Sequence, residues 1–264
     1  MMTKLNKWVI KHPSLAFYTA SIFELIALAL PCFTFGWSIL SYVIVGLWIL
    51  FINKFSIASA APYEINKAIK KLNRKCDPVP LYDISVFIAE REKVESHMLL
   101  LLMNKCVALN SMGRYEESRE ILNTLTDKMQ TMTPRDKLTY CINMVDTHVK
   151  LGNTEEAETW LGKTLEIYNA QTDILKEKFT TLLDMNTAEF SLLRGDYDLV
   201  GELLGKIHMP EVRGDLEFRL LRAKYNIYTN NPMDAKPDLE YIVAKGNKLC
   251  IVEEAKKLLA ELDQ

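Results

Sequence analysis

The chain has 264 residues, with 32 Lys+Arg against 34 Asp+Glu and a formal net charge of −2. That balance excludes a general attraction to nucleic acid, because no basic excess is available to neutralise phosphates. Its five cysteines, Cys32, Cys76, Cys106, Cys141 and Cys250, are odd in number and show no CxxC or zinc-like spacing, which argues against a disulfide framework or a zinc site and fits reduced thiols in a cytosolic domain.

In chain order, residues 1–13 form a basic N-terminus carrying Lys4, Lys7 and Lys11. From Pro13 to Asn53 there is one charged side chain, Glu24. As a single helix this stretch reaches ~60 Å, about two hydrocarbon thicknesses. It predicts a transmembrane helical hairpin over residues 14–53, with arms Leu15–Phe33 and Trp37–Ile52 parted where Pro31, Thr34 and Gly36 weaken helical continuity. Each arm is ~18 residues against the usual ~20, which implies bilayer thinning or anchoring by Trp8, Tyr18, Trp37 and Trp48. A cleaved signal peptide is disfavoured, since no signal core is this long and a second span follows at once. Cations flank the run on both sides, Lys4, Lys7 and Lys11 before it and Lys54 and Lys67 after it. The positive-inside rule therefore predicts a multi-pass cell-membrane protein of two spans, with the N-terminus and the domain beyond both cytoplasmic. Glu24 is expected to act as a membrane helix contact, hydrogen-bonded to Ser21, Ser38 or Ser41, or as glue in a homo-oligomer through the spans; a transport role is the alternative.

Residues 54–62 are expected to be a juxtamembrane linker, and 63–264 a soluble domain. The basic residues from Lys67 to Lys75 suit anionic lipid headgroups better than phosphodiesters. Strand signals are missing from the domain, and apolar residues recur at three and four, as in Leu99, Leu102, Met103, Cys106 and Leu109. All-α architecture follows. Helices are predicted over Tyr63–Lys75 and Val79–Glu92, with Asp77 as N-cap and Pro78 as first helical residue, and a terminal helix over Lys248–Leu262. Between them, breaks at Gly113, Gly152, Gly195 and Asn230-Asn231-Pro232 divide the helices into pairs.

Around these breaks the sequence repeats itself. Ala108 to Ser118 aligns with Val149 to Ala157, with Leu192 to Val200 and, more weakly, with Tyr228 to Ala235. Each glycine suits a left-handed helix end, and Asn230 is the usual second choice. Tyr115 and Tyr197 are expected to pack under their turns. Ser118, Ala157, Val200 and Ala235 fall where a second helix approaches the first, opposite Cys106, Val145, Ala188 and Ala223. With these residues the chain resembles the tetratricopeptide repeat (TPR) family over about Val94–Ile242, which implies an antiparallel helix-pair solenoid. The spacings of 39, 43 and 35 residues between turns exceed the family's repeat of about 34, and Thr154 and Pro232 stand where the family has an aromatic.

No catalytic pattern is found. The histidines, His12, His97, His148 and His208, form no metal-ligand motif, and GxxxxGK[ST], GxSxG and GxGxxG are absent. Cys141 and His148 lie seven apart on one predicted helix, ~10 Å along its axis and beyond hydrogen-bond reach. Neither enzyme activity nor a cofactor is expected. The resemblance implies that the first helix of each pair lines a concave groove for a peptide or an amphipathic helix. Projection of the register places Leu100, Met103, Val107 and Asn110, then Thr139, Ile142, Asp146 and Val149, then Leu182, Met185, Glu189 and Leu192 on that face, followed by Glu217, Leu220, Lys224 and Ile227. The face is largely apolar and lacks a set of cations for a terminal carboxylate. The expectation is a membrane-anchored, bacterial-looking interaction scaffold that binds a protein partner. The alternatives are an accessory or regulatory subunit of a membrane enzyme or transporter, or a structural membrane oligomer; equally, the helices can close on themselves and bury the groove.

Overall fold

A computed structural model describes residues 3–13, 15–24, 39–92 and 94–262. Among them every regular element is helical, so the all-α expectation holds. The chain divides into two compact units, Met1–Lys67 and Ala68–Gln264.

The first unit holds α1 (Lys4–Lys11), the helical residues 15–24, here α2, and most of α3 (Ile39–Lys75). Thr3 caps α1 by accepting from the Asn6 amide. The linker expected over 54–62 is instead helical, because α3 runs through it with Pro62 in its interior. The predicted hairpin turn at Pro31–Trp37, and Cys32 with it, lies outside the described residues. Among the described residues no helix is long and apolar enough to cross a membrane. The apolar residues of this unit are nevertheless turned outward: Phe23 is 80 % exposed and Phe51 65 %, with Leu15, Tyr18, Ile22, Leu47 and Trp48 also exposed. Inside, Asn53 donates to Glu24 at 2.9 Å and to Ser21 at 3.3 Å.

The second unit contains α4 (Val79–Ala89), α5 (Glu95–Ser111), α6 (Tyr115–Asn123), a 3-10 turn (Thr126–Thr131), α7 (Pro134–Lys150), α8 (Thr154–Asn169), α9 (Asp173–Arg194), α10 (Tyr197–Leu204), α11 (Val212–Tyr228), α12 (Pro232–Lys245) and α13 (Ile251–Leu262). Consecutive helices pack as pairs, α5 with α6, α7 with α8, α9 with α10 and α11 with α12. The first helices of the pairs also touch in succession, α5 with α7, α7 with α9 and α9 with α11. Gly113, Gly152, Gly195 and Asn230 sit at the pair turns with φ of +77°, +73°, +77° and +60°. These are left-handed conformations that close a helix and release its last carbonyls to new donors. Accordingly Arg114 N donates to Leu109 O and Asp196 N to Ser191 O, both at 2.9 Å.

Small residues bring each pair together. Cys106, Ser118, Val145, Ala157, Ala188, Val200, Ala223 and Ala235 are all fully buried. Around them lie the core side chains, above all Tyr140 against Trp160 edge to face, with ring centroids 5.5 Å apart.

Two details differ from expectation. The cap of α4 is Pro78, with no side-chain cap bond, and the helix ends at Ala89 rather than Glu92. The Asp77 carboxylate, just before that cap, meets Lys248 Nζ at 3.2 Å. The terminal helix starts at Ile251, since residues 247–250 are used to return the chain to the first pair. There Asn247 Nδ2 donates to Lys75 O at 2.7 Å, Lys248 N to Cys76 O at 3.2 Å and Cys250 N to Ser111 O at 3.0 Å. The array thus closes on itself.

Candidate functional site

The returning segment borders the face formed by the first helices, which stays partly open. A cavity of about 390 Å³ lies there, with α5, α7, α9 and α11 contributing its walls and the returning segment Leu249–Ile251 one side. A second, of about 530 Å³, adjoins it and shares Tyr115, Lys150 and Glu189.

The projected face can be placed residue by residue. Val107, Asn110, Thr139, Ile142, Asp146, Leu182, Met185, Glu189 and Glu217 line the first cavity. Val149, Leu192, Leu220 and Lys224 line the second, where Glu189 recurs. Leu100 and Met103 line neither: Leu100 is 45 % exposed, and Met103 is buried in the core cluster of α5, α7 and α9. α4 precedes α5 and packs on it, and the N-terminal half of α5 takes no part in either cavity. Ile227 also lies outside both linings.

The floor of the first cavity is ionic. Lys150 Nζ meets Glu189 Oε1 at 2.5 Å, and Arg213 meets Glu217 at 2.9 Å. Asp146 accepts from Asn110 Nδ2 at 2.8 Å. Desolvation pushes the Asp146 carboxyl above its usual range, against the pull of Lys150. Burial opposes the charge on Lys150, but Glu189 and Asp146 outweigh it and hold the ammonium above the ordinary lysine value. Three carboxylates, Asp146, Glu189 and Glu217, share the lining with four cations, Lys150, Arg213, Arg135 and Lys178, beneath walls of Ile142, Phe179, Leu182 and Met185.

Asn143, Asn186, Phe179, Lys150 and Arg213 also line the cavity and escaped the projection. A sequence signal for two of them exists: Asn104, Asn143 and Asn186 each stand nine residues before a turn glycine. Asn186 uses its amide to donate to Ile142 O at 3.0 Å, tying α9 to α7.

The side chains that could suggest chemistry elsewhere are occupied by packing. Cys106 and Cys141 are fully buried, and burial pushes both thiols up to about 12, far from a nucleophilic thiolate. His148 is buried, its pKa lowered by desolvation, with Asn153 Nδ2 at 3.4 Å from Nδ1. Tyr115 places its hydroxyl 3.2 Å from Cys250 Sγ, which adjoins the turn at Gly113, and Tyr197 lies by its own turn, its hydroxyl 4.0 Å from a Cβ added at Gly195, and stacks on Tyr228 with centroids 6.1 Å apart. Among the described residues no group of three metal-ligating side chains converges.

No protein-family model, no curated protein and no solved structure matches this chain.

Proposed function

We propose that this protein is a non-enzymatic binding scaffold in which a TPR-like array of helix pairs holds a short peptide segment of a protein partner, and that residues 14–53 anchor it in the cell membrane with the array in the cytoplasm. The observation that carries the binding reading is the pair of partly open cavities along the first helices, lined by nine projected face residues in one and sharing Lys150 and Glu189 with the other. Closure by residues 247–250 narrows the occupant from a whole amphipathic helix to a few residues of chain, since a cavity of about 390 Å³ is the size of a small-molecule site.

The anchor rests on the sequence, where Glu24 is alone among forty-one residues, and on the outward apolar side chains of α2 and of α3 from Ile44 to Phe51. The Glu24–Asn53 hydrogen bond favours a helix-contact role for Glu24 over a part in transport. Alkaline carbonate extraction of cell membranes tests the anchor: the full chain is expected in the pellet, and release into the supernatant overturns it. Panning a random peptide display library on the full chain in lipid nanodiscs tests the array. Enrichment of peptides whose binding is lost on Met185→Trp, which fills the first cavity, supports the reading; enrichment of none overturns it.

A further inference from the structure

The N-terminal helix α1, Lys4–Lys11, carries a different chemistry on each of its faces. At 3.6 residues per turn, Lys4, Lys7 and Lys11 share one face, Asn6 and Ile10 lie on the opposite one, and Leu5, Trp8 and His12 form the flank between them. The three lysines are exposed, and so are Leu5 at 68 % and Trp8 at 38 %. The opposite face is tied down. Asn6 Nδ2 donates to Glu64 Oε1 on α3, where Glu64 is buried, and the other oxygen of that carboxylate meets Lys67 Nζ at 4.0 Å. Residues 1–13 contain no Asp or Glu. Among the described residues no ion pair holds Lys4, Lys7 or Lys11. The flank, meanwhile, runs on into α2. His12 N donates to Trp8 O and His12 O accepts from Ala16 N, both at 2.9 Å, and beyond them Leu15, Tyr18 and Ile22 turn their side chains outward.

We propose that α1 lies in the membrane interface and binds anionic phospholipid, with Lys4, Lys7 and Lys11 on the headgroup phosphates and Leu5 and Trp8 at the acyl boundary. Charge and apolar surface together decide the occupant. A neutral lipid surface covers Leu5 and Trp8 but leaves three lysines without counter-charge, and a free anion in solution does the reverse. Only a lipid surface of net negative charge meets both. Indole and imidazole rings, each with an apolar body and a polar edge, suit the same depth, and the Trp8 and His12 rings stand 6.1 Å apart along the flank. The Asn6–Glu64 bond holds the helix to α3 by the face that carries no charge, which keeps the lysines turned away from the protein. Continuity with the outward apolar side chains of α2 favours lipid over an acidic protein as the surface that covers α1.

This inference rests on the membrane-anchor reading, and one experiment separates the two. The full chain is reconstituted in vesicles of equal parts phosphatidylcholine and phosphatidylglycerol, in which one lipid or the other carries acyl chains brominated near the headgroup. Trp8 emission is the difference between the wild-type chain and Trp8→Phe, and Trp48 emission is obtained likewise from Trp48→Phe. Brominated phosphatidylglycerol is expected to quench Trp8 about twofold or more over brominated phosphatidylcholine. Added salt and the combined Lys4→Gln, Lys7→Gln and Lys11→Gln change are each expected to remove that preference. Equal quenching of Trp8 by the two lipids, or a preference that survives the triple change, overturns the anionic site. Quenching of Trp48 without quenching of Trp8 puts α1 off the lipid and overturns it too, while the anchor stands. Loss of quenching at both tryptophans overturns the anchor as well.

Discussion

Asn53 donates its side-chain amide to the Glu24 carboxylate at 2.9 Å, across twenty-nine residues of chain that contain no other charge. Asn53 is 7 % exposed and also reaches Ser21. In apolar surroundings such a bond is worth about 1 kcal/mol, since the alternative is an unmatched polar group. In full-length protein in detergent micelles, Asn53→Ala and Glu24→Ala are expected to lower resistance to thermal unfolding by similar amounts, with a coupling of about 1 kcal/mol in the double-mutant cycle. Glu24→Gln keeps the acceptor and should behave as wild type. Equal losses for Gln and Ala at this position would indicate that charge, not the hydrogen bond, is what the pair requires.

The pair turns can be ranked by what surrounds them. Gly152 has φ +73° and nothing within 4 Å of an added Cβ, so Gly152→Ala should cost only the left-handed strain, about 1 kcal/mol. At Gly113, also left-handed, an added Cβ meets Cys250 Cβ at 3.0 Å, where the returning segment closes the array. Gly113→Ala is therefore expected to destabilise by about 1 kcal/mol more. Thermal melts of the two variants side by side check this ordering, and equal melting temperatures would show that closure at Cys250 is not tight.

Lys150 holds together a floor that would otherwise be three carboxylates and one guanidinium. Replacing it by Met strands Glu189 and Asp146 with no counter-charge, a loss of about 2–4 kcal/mol given that the pair is partly open to solvent. Asp146→Asn is the opposite case. It removes a carboxylate whose pKa desolvation has raised, keeps an acceptor for Asn110, and should lie within about 1 kcal/mol of wild type. Denaturant titration of both variants distinguishes these outcomes.

His148 gives a pH dependence with a definite sign. Burial lowers its folded pKa below 6.5, so the unfolded chain takes up the proton first. The stability this residue contributes is present above about pH 6.5 and declines as pH falls toward the folded pKa. His148→Gln should flatten that part of the stability profile relative to wild type. Parallel profiles for the two proteins from pH 7 to pH 5 would contradict it.

Local sequence determined the helices, their turns and the small residues that let them pair. A left-handed turn and a close helix crossing are each set by one or two neighbouring side chains, and glycine, asparagine and small residues announce them. The same periodicity identified which side of α7 and α9 lies within the array, from Thr139 to Asp146 and from Leu182 to Glu189. What only the tertiary structure decided depends on residues far apart in the chain. Closure joins Cys250 to Ser111 and Lys248 to Cys76, and no local pattern announces a contact over that separation. It set the returning segment against the expected groove and left two partly open cavities there. The ionic floor is likewise a product of assembly: Lys150 and Arg213 look like ordinary surface charges in sequence. Only the convergence of α7, α9 and α11 desolvates them enough to make their balance matter.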